Sequence, residues 1–384
     1  MISFKDLQLS DKLIQSLIRK GYSTPTEIQS KSIPQILQGR DVLASAQTGT
    51  GKTAAFTLPL LQLMSANQGV PLTIRQRLRT LILTPTRELA LQIAENISDY
   101  KQFLNLKHTV LFGGVSQEKQ VNSLKSGTDI LIATPGRLKD LIEQRFVDLS
   151  NIQYFVLDEA DRMLDSGFLN DVKKIVSLIP KKRQTLLFSA TVPPEIEMLS
   201  TRLLNKPVRI EVQPVSSTSE NIKQCVYHVE KDNKQDLLVR LLRSGRLDRV
   251  LVFTTMKHHA DKISRRLTHS GISSEAIHGN KSQAQREGIL KNFKLRKLKV
   301  LIATDVIARG IDIDDLSHVI NYELPDVAET YVHRIGRTGR KGKPGVAISF
   351  CSSDEKVQLK DIQKLISKNI PVASHPDEQH LSFN

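Results

Sequence analysis

The chain has 384 residues, more than one hydrophobic core comfortably serves and enough for two. Its 55 Lys+Arg against 40 Asp+Glu give a formal charge of +15, shared about evenly by the two halves. That excludes a basic tail as the source and suggests a polyanionic partner spanning both halves. Two cysteines, Cys225 and Cys351, exclude a disulfide framework and a cysteine-only zinc site. No apolar run approaches the ~20 residues of a membrane helix, and Met1–Asp11 has no signal-like apolar core. A cytoplasmic protein without a membrane partner is expected.

Apolar runs of strand length alternate with amphipathic, helix-length segments along nearly the whole chain, a pattern that predicts parallel sheets wrapped by helices. The predicted strands are Asp41–Ser45, Thr80–Thr84, His108–Phe112, Asp129–Ala133, Gln153–Leu157 and Gln184–Phe188. Pro214 and a Ser/Thr cluster then interrupt the alternation over Glu211–Asn221, which reads as a linker. It resumes with Val250–Thr254, Lys299–Thr304, His318–Glu323 and Gly345–Phe350. Leu81–Thr84 resembles Leu251–Thr254, and Ile130–Thr134 resembles Val300–Thr304. Both pairs share one offset of 170 residues (251 − 81 and 300 − 130), which predicts a duplicated α/β unit.

The first predicted strand runs into Ala46-Gln-Thr-Gly-Thr-Gly-Lys-Thr53 and then a helix, the context of a phosphate-binding loop. Gly49 and Gly51 free the backbone to turn its N–H groups onto phosphates, and the helix start adds positive potential. Lys52 suits the outer phosphates and the Thr53 hydroxyl suits magnesium. Ala46 stands where the usual pattern has glycine. Downstream, the strand ending at Leu157 delivers Asp158 and Glu159 where ligands bind an open α/β sheet. Asp158 is the expected magnesium ligand and Glu159 the residue that orients a water. The lone histidines His108, His258 and His318 lack zinc spacing, and Ser189 lacks a nucleophile-elbow context.

Together with Pro85-Thr-Arg-Glu-Leu-Ala90, Thr134-Pro-Gly-Arg137, Ser189-Ala-Thr191 and His333-Arg-Ile-Gly-Arg-Thr-Gly-Arg340, these motifs resemble in order those of the DEAD-box RNA helicases. The resemblance runs from about Phe4 to about Pro371. Ser45–Lys52 and Ile277–Gln283 most resemble the bacterial RhlE-type branch. It implies two RecA-like domains, 1–210 and 222–371, joined by the linker 211–221 and followed by a short tail, 372–384. It implies ATP and Mg2+ as cofactors, RNA as partner, and RNA-stimulated ATP hydrolysis coupled to unwinding of short duplexes, with ribosome assembly or RNA decay as family-level settings.

Residue by residue, the resemblance assigns Phe4, Tyr22, Thr26 and Gln29 to adenine. The amide of Gln29 offers both a donor and an acceptor to the base edge. Ala46, Gln47, Thr48, Gly49, Thr50, Gly51, Lys52 and Thr53 form the phosphate loop, with Thr53 and Asp158 at magnesium. Arg337 and Arg340 resemble arginine fingers. His333 belongs to the same motif, which with Arg334 is expected to pair with groups of the first half. Asp312, with Asp305, belongs to a motif linking RNA and ribose, where Ile307 replaces a small residue. Ser189 and Thr191 resemble the coupling motif.

RNA contacts, mostly to phosphate and sugar, fall on Pro85, Thr86, Arg87, Gly113, Gly114, Thr134, Gly136 and Arg137 in the first half, and on Thr254, Gln283, Arg286 and Thr304 in the second. The basic run Lys281–Lys299 reads mainly as a solvated face. A DNA helicase or translocase and an ATP-gated RNA clamp without productive unwinding are the rival readings.

Overall fold

The computed structural model describes residues 2–47, 49–66, 77–212, 222–244, 247–305, 316–339 and 344–373. The chain divides into two compact units, Met1–Pro214 and Val215–Asn384. The first holds seven strands: β1 Val42–Ser45, β2 Thr80–Leu83, β3 His108–Leu111, β4 Ile130–Ala133, β5 Tyr154–Asp158, β6 Gln184–Ser189 and β7 Val208–Glu211. They form one sheet in the order β3-β4-β2-β5-β6-β1-β7. The second unit holds β8 Ile222–His228, β9 Val250–Thr254, β10 Ser274–Ile277, β11 Val300–Thr304, β12 His318–Asn321 and β13 Gly345–Cys351, in the order β10-β11-β9-β12-β13-β8. Every strand pair among the described residues is parallel.

A parallel sheet needs helical crossovers, which cover both faces, so its central strands must be apolar on both sides. Along β1, β2, β4, β5 and β6 alternate residues enter two separate cores. Val42, Ala44, Ile82, Ile130, Ile132, Val156, Leu186 and Phe188 face one. Leu43, Leu81, Leu83, Leu131, Phe155, Leu157 and Leu187 face the other. The helices Glu27–Leu37, Lys52–Ala66 and Arg87–Tyr100 close the first face; Pro135–Glu143, Leu169–Ser177 and Pro194–Leu203 close the second.

The duplication extends to register. Thr80 pairs with Ile130 in the first unit, and Val250 pairs with Val300 in the second, each 170 residues further on. The strand order of the second unit repeats that of the first with β7 removed.

Three strands were not among those predicted: β7, β8 and β10. All three lie at sheet edges. An edge strand has one unpaired side and need not be apolar throughout; Val208-Arg-Ile-Glu211 exposes Arg209 and Glu211. Of the predicted linker, Glu211 completes β7 and 213–221 lie outside the described residues. At the other end, Pro371–Ala373 extend along β8: the Val226 N–H donates to the Pro371 carbonyl and the Ala373 N–H to the Val226 carbonyl.

Candidate functional site

In the first unit every predicted motif follows the carboxyl end of a strand, where an open parallel sheet binds its ligands. The strand order sorts them. The phosphate loop follows β1, Asp158 and Glu159 close β5, and Ser189–Thr191 follow β6, so these three motifs sit on one half of the sheet. Pro85–Arg87 follow β2, Gly113–Gly114 follow β3 and Thr134–Arg137 follow β4, on the other half.

The phosphate loop turns on Gly49 and Gly51, at φ 89° and 93°, in the left-handed region that favours glycine. Gln29 reaches the loop from the neighbouring helix: its Nε2 donates to the Gly51 carbonyl at 3.2 Å, and its Oε1 accepts from the Thr26 N–H at 3.0 Å. Thr26 and Gln29 thus form a capping box on the helix Glu27–Leu37. One amide hydrogen of Gln29 is left over for a base edge. Phe4 is buried in the apolar cluster below, while Tyr22 is exposed under the Lys20 ammonium, 6.0 Å from its ring centre. Thr50 Oγ1 donates to the Gln47 carbonyl at 2.7 Å; Thr48 lies outside the described residues.

A Cβ at Gly51 would fall 2.3 Å from Gln29 Nε2, at a φ where L side chains are strained. Gly51→Ala is therefore expected to displace Gln29, store about 1–3 kcal/mol of strain and weaken nucleotide binding at least about tenfold. Titration with a fluorescent nucleotide checks it; unchanged affinity would show that the Gln29–Gly51 link is immaterial.

Lys52 is the first residue of its helix and is buried, its ammonium donating to the Ala46 carbonyl at 2.6 Å. The Ala46 N–H donates to the Ser189 carbonyl at 3.1 Å, tying the loop to β6. Asp158 is only 3% exposed. Burial and then the adjacent Glu159 carboxylate push its pKa up to about 7, against the pull of Lys52, a backbone hydrogen bond and Arg162. Glu159, also buried, holds a left-handed backbone at φ 52° and pairs with the Arg162 guanidinium. A crowded buried carboxylate whose charge is disfavoured gains from a hard cation, and Asp158 with the Thr53 hydroxyl supplies oxygen ligands of the kind Mg2+ takes. No cluster of three or more His, Cys, Asp or Glu fit for a metal occurs among the described residues, consistent with a cation held by one carboxylate and by phosphates.

Asp161, which the motif reading left without a role, is the connecting group. Its Oδ2 accepts from the Thr191 N–H at 2.9 Å and from Thr191 Oγ1 at 3.0 Å, and its own N–H donates to Ser189 Oγ at 3.1 Å. The acidic turn after β5 and the turn after β6 are therefore one hydrogen-bonded body. The only sequence signal was the spacing of Asp158 and Asp161 across one helical turn, which is too common to notice alone.

On the other half of the rim, Thr86 caps the helix Arg87–Tyr100, its Oγ1 accepting from the Leu89 N–H at 3.3 Å. The Arg87 guanidinium lies against Gly114, where a Cβ would come within 2.3 Å of it. Pro85 and Thr134 are buried, and Gly136 opens onto free space. Arg137 donates to Gln120 Oε1 at 3.3 Å and to the Val115 carbonyl at 3.4 Å.

The second unit keeps the frame and changes the chemistry. Lys234 starts the helix after β8 as Lys52 starts the helix after β1, but its ammonium is held by the Glu355 carboxylate and the Tyr322 carbonyl. Thr254, at the end of β9, is fully buried and donates to Glu323 Oε2 at 2.8 Å; the next residue, Thr255, carries the exposed hydroxyl. Thr304 closes β11, and Gln283 and Arg286 are buried on the helix after β10. Gln283 Nε2 donates to Glu287 Oε1 at 2.9 Å, whereas its buried Oε1 has no hydrogen-bond partner.

In the basic run, Lys281 pairs with Asp261, Arg296 with Asp248, and Lys299 donates to the Leu242 carbonyl. His333 is half-buried in the last turn of the helix Ala328–Ile335, and Arg337 is buried just beyond it.

Arg334 corrects an expectation. It does not wait for a partner from the first half: fully buried, it binds Asp305 in a fork at 2.6 and 2.7 Å and also donates to Asn321 Oδ1 and the Glu323 carbonyl. A guanidinium with no exposed surface must be satisfied where it sits. Asp312, Ile307 and Arg340 lie outside the described residues.

Two family models match the chain: the DEAD/DEAH box helicase domain over residues 26–199 and the helicase conserved C-terminal domain over 233–342. The RNA helicase CrhR of Synechocystis sp. is 43% identical over 99% of this chain and 76% of its own length. The chain belongs to the DEAD-box RNA helicases. The DEAD-box ATP-dependent RNA helicase CshA of Bacillus cereus is 40% identical over 96% of this chain and 69% of its own length. The S. cerevisiae protein Dbp5, solved bound to RNA and ADP BeF3, is 30% identical and superposes with a TM-score of 0.85 over 98% of this chain and 96% of that one. The fold is that of two RecA-like α/β domains, and with DEAD-box membership comes ATP-driven helicase activity on RNA.

Proposed function

We propose that this DEAD-box helicase couples ATP hydrolysis to RNA through the hydrogen-bonded body formed by the turns after β5 and β6. The observation that carries this is Asp161, which holds Thr191 by two bonds while its chain neighbours Asp158 and Glu159 face the phosphate loop side of the sheet. In this reading Gln29, with Thr26, Tyr22 and Phe4, selects adenine, and Lys52 and the loop N–H groups hold the phosphates. Thr53 and Asp158 would hold Mg2+, which when bound neutralises phosphate charge. Glu159 orients the attacking water and accepts its proton. Arg337 and Arg340 stabilise charge on the outer phosphoryl group.

The RNA strand runs along Pro85–Arg87, Gly113–Gly114 and Thr134–Arg137 in the first unit and along the β9, β10 and β11 ends in the second. ATP and RNA each favour a closed arrangement of the two units, so each raises affinity for the other. Bending one strand in that state separates short duplexes, and hydrolysis releases it. A cytoplasmic setting, an RhlE-like branch and work in ribosome assembly or RNA decay belong to the same proposal. Among the described residues no helix is long and apolar enough to cross a membrane.

Saturating single-stranded RNA is expected to raise ATP turnover severalfold or more, with DNA ineffective; turnover indifferent to RNA would remove the coupling. Release of a strand from a short blunt RNA duplex separates unwinding from clamping without unwinding.

A further inference from the structure

The internal duplication carries information about RNA that the motifs do not. The helix Lys257–His269 leaves the end of β9 as the helix Arg87–Tyr100 leaves the end of β2, and the two strands occupy matching places and registers in their sheets. At the shared offset of 170 residues, Lys257 therefore stands where Arg87 stands, each as the first residue of its helix.

Both side chains then do the same thing. Arg87 lies over Gly113–Gly114, and Gly113 is two residues past the end of β3. Lys257 lies over Gly279, two residues past the end of β10, with its Nζ and Cε each 3.7 Å from where a Cβ would be. Its Nζ donates to Asn280 Oδ1 at 3.1 Å. In both units a cation is laid across a glycine beside the outer edge strand, leaving the backbone open to a close neighbour.

The surroundings leave the Lys257 charge uncompensated. Lys257, Gly279 and Asn280 are all exposed, and no carboxylate pairs with Lys257 among the described residues. The nearby acids are engaged elsewhere: Asp261 holds His278 and Lys281, and Glu323 takes hydrogen bonds from Thr254, Thr255 and His259. Burial pushes the Glu323 pKa up, yet those bonds outweigh it and hold it at about 2, so this anchor for the start of the helix stays ionised. Gln283, four residues past Gly279, keeps its buried Oε1 without a partner.

We infer that Lys257, over the Gly279–Asn280 turn, is a contact of the second unit with an RNA backbone phosphate, the internal counterpart of Arg87 over Gly113–Gly114. It rests on the reading of the Arg87 face given above. An ammonium is a compact point charge with no acceptor, so it binds one phosphate and reads no base. Sequence preference is untouched and salt sensitivity is raised.

The experiment measures binding of labelled single-stranded oligo(U) RNA to the full chain with a non-hydrolysable ATP analogue, over a salt series. Lys257→Ala is expected to weaken binding about three- to tenfold and to flatten the slope of log affinity against log salt by about 0.7. Lys257→Arg should restore most of the loss. The far-ultraviolet spectrum and melting midpoint check that each variant is folded, and Arg87→Ala runs alongside. If Lys257→Ala leaves affinity and slope unchanged while Arg87→Ala weakens binding, the lysine is only a solvated surface charge and the inference is lost. If neither matters, the reading of the Arg87 face falls with it.

Discussion

Glu159→Gln is expected to keep ATP and RNA binding and to lower RNA-stimulated hydrolysis by about 10²- to 10⁴-fold, the usual range for removing a positioned general base. The substitution keeps the side chain's size and removes its capacity to take a proton. The site is built to make that carboxylate count. Glu159 is buried, carries a left-handed backbone at the turn from β5 into the next helix, and is gripped by Arg162. A non-glycine residue held there costs roughly 1–3 kcal/mol, a strain tolerated where geometry matters to function. Asp158 beside it gains from a cation, so the two neighbours divide the work between metal and water. Phosphate release at saturating RNA, together with equilibrium nucleotide binding, checks this. Normal turnover by the variant would remove Glu159 from the water-orienting role, and lost binding would assign it to the ground state instead.

Arg334→Met is expected to destabilise the second unit by about 3–5 kcal/mol, the range for removing one partner of a buried ion pair. The Arg334 side chain has 0% exposure and satisfies Asp305, Asn321 and the Glu323 carbonyl at once, with its guanidinium carbon 5.1 Å from the Phe253 ring centre. Met fills similar volume but leaves these acceptors without their donor. Asp305 is 23% exposed and can recover some water, which favours the lower end of the range. Asp305→Asn should cost less, because Arg334 keeps its other partners. Urea unfolding of the full chain, followed by a probe in the second unit, reads both. A loss below about 1 kcal/mol for Arg334→Met would mean that the network is relaxed in solution.

Asp305 lies at the end of β11, next to the RNA candidate Thr304, whereas Arg334 shares a helix end with His333 and Arg337. The pair thus joins the RNA side of the second sheet to the arginine motif, as Asp161 joins the acidic turn to Ser189 and Thr191 in the first. RNA stimulation in Asp305→Asn would report whether that join also transmits.

The chemistry of both units was legible in short stretches because it is local. A glycine-rich turn before Lys52 and Thr53, or two carboxylates at a strand end, binds by residue type and backbone conformation set within a few positions. Central strands were legible for a related reason: burial on both faces forces a continuous apolar run. Edge strands β7, β8 and β10 were not, since one open side relaxes that demand.

Sequence by itself determined that there are two similar α/β units, where the phosphate loop lies, and which residue types would touch ATP and RNA. Only the tertiary structure decided which of those residues meet. Gln29 reaches Gly51, Asp161 reaches Thr191, Arg334 is spent on Asp305, and Lys257 lies over Gly279. Each pair joins the ends of different elements. Their adjacency follows from strand order and register, set by crossovers that cover both faces of a twisted sheet and packed in by the whole core. No window of sequence contains that order.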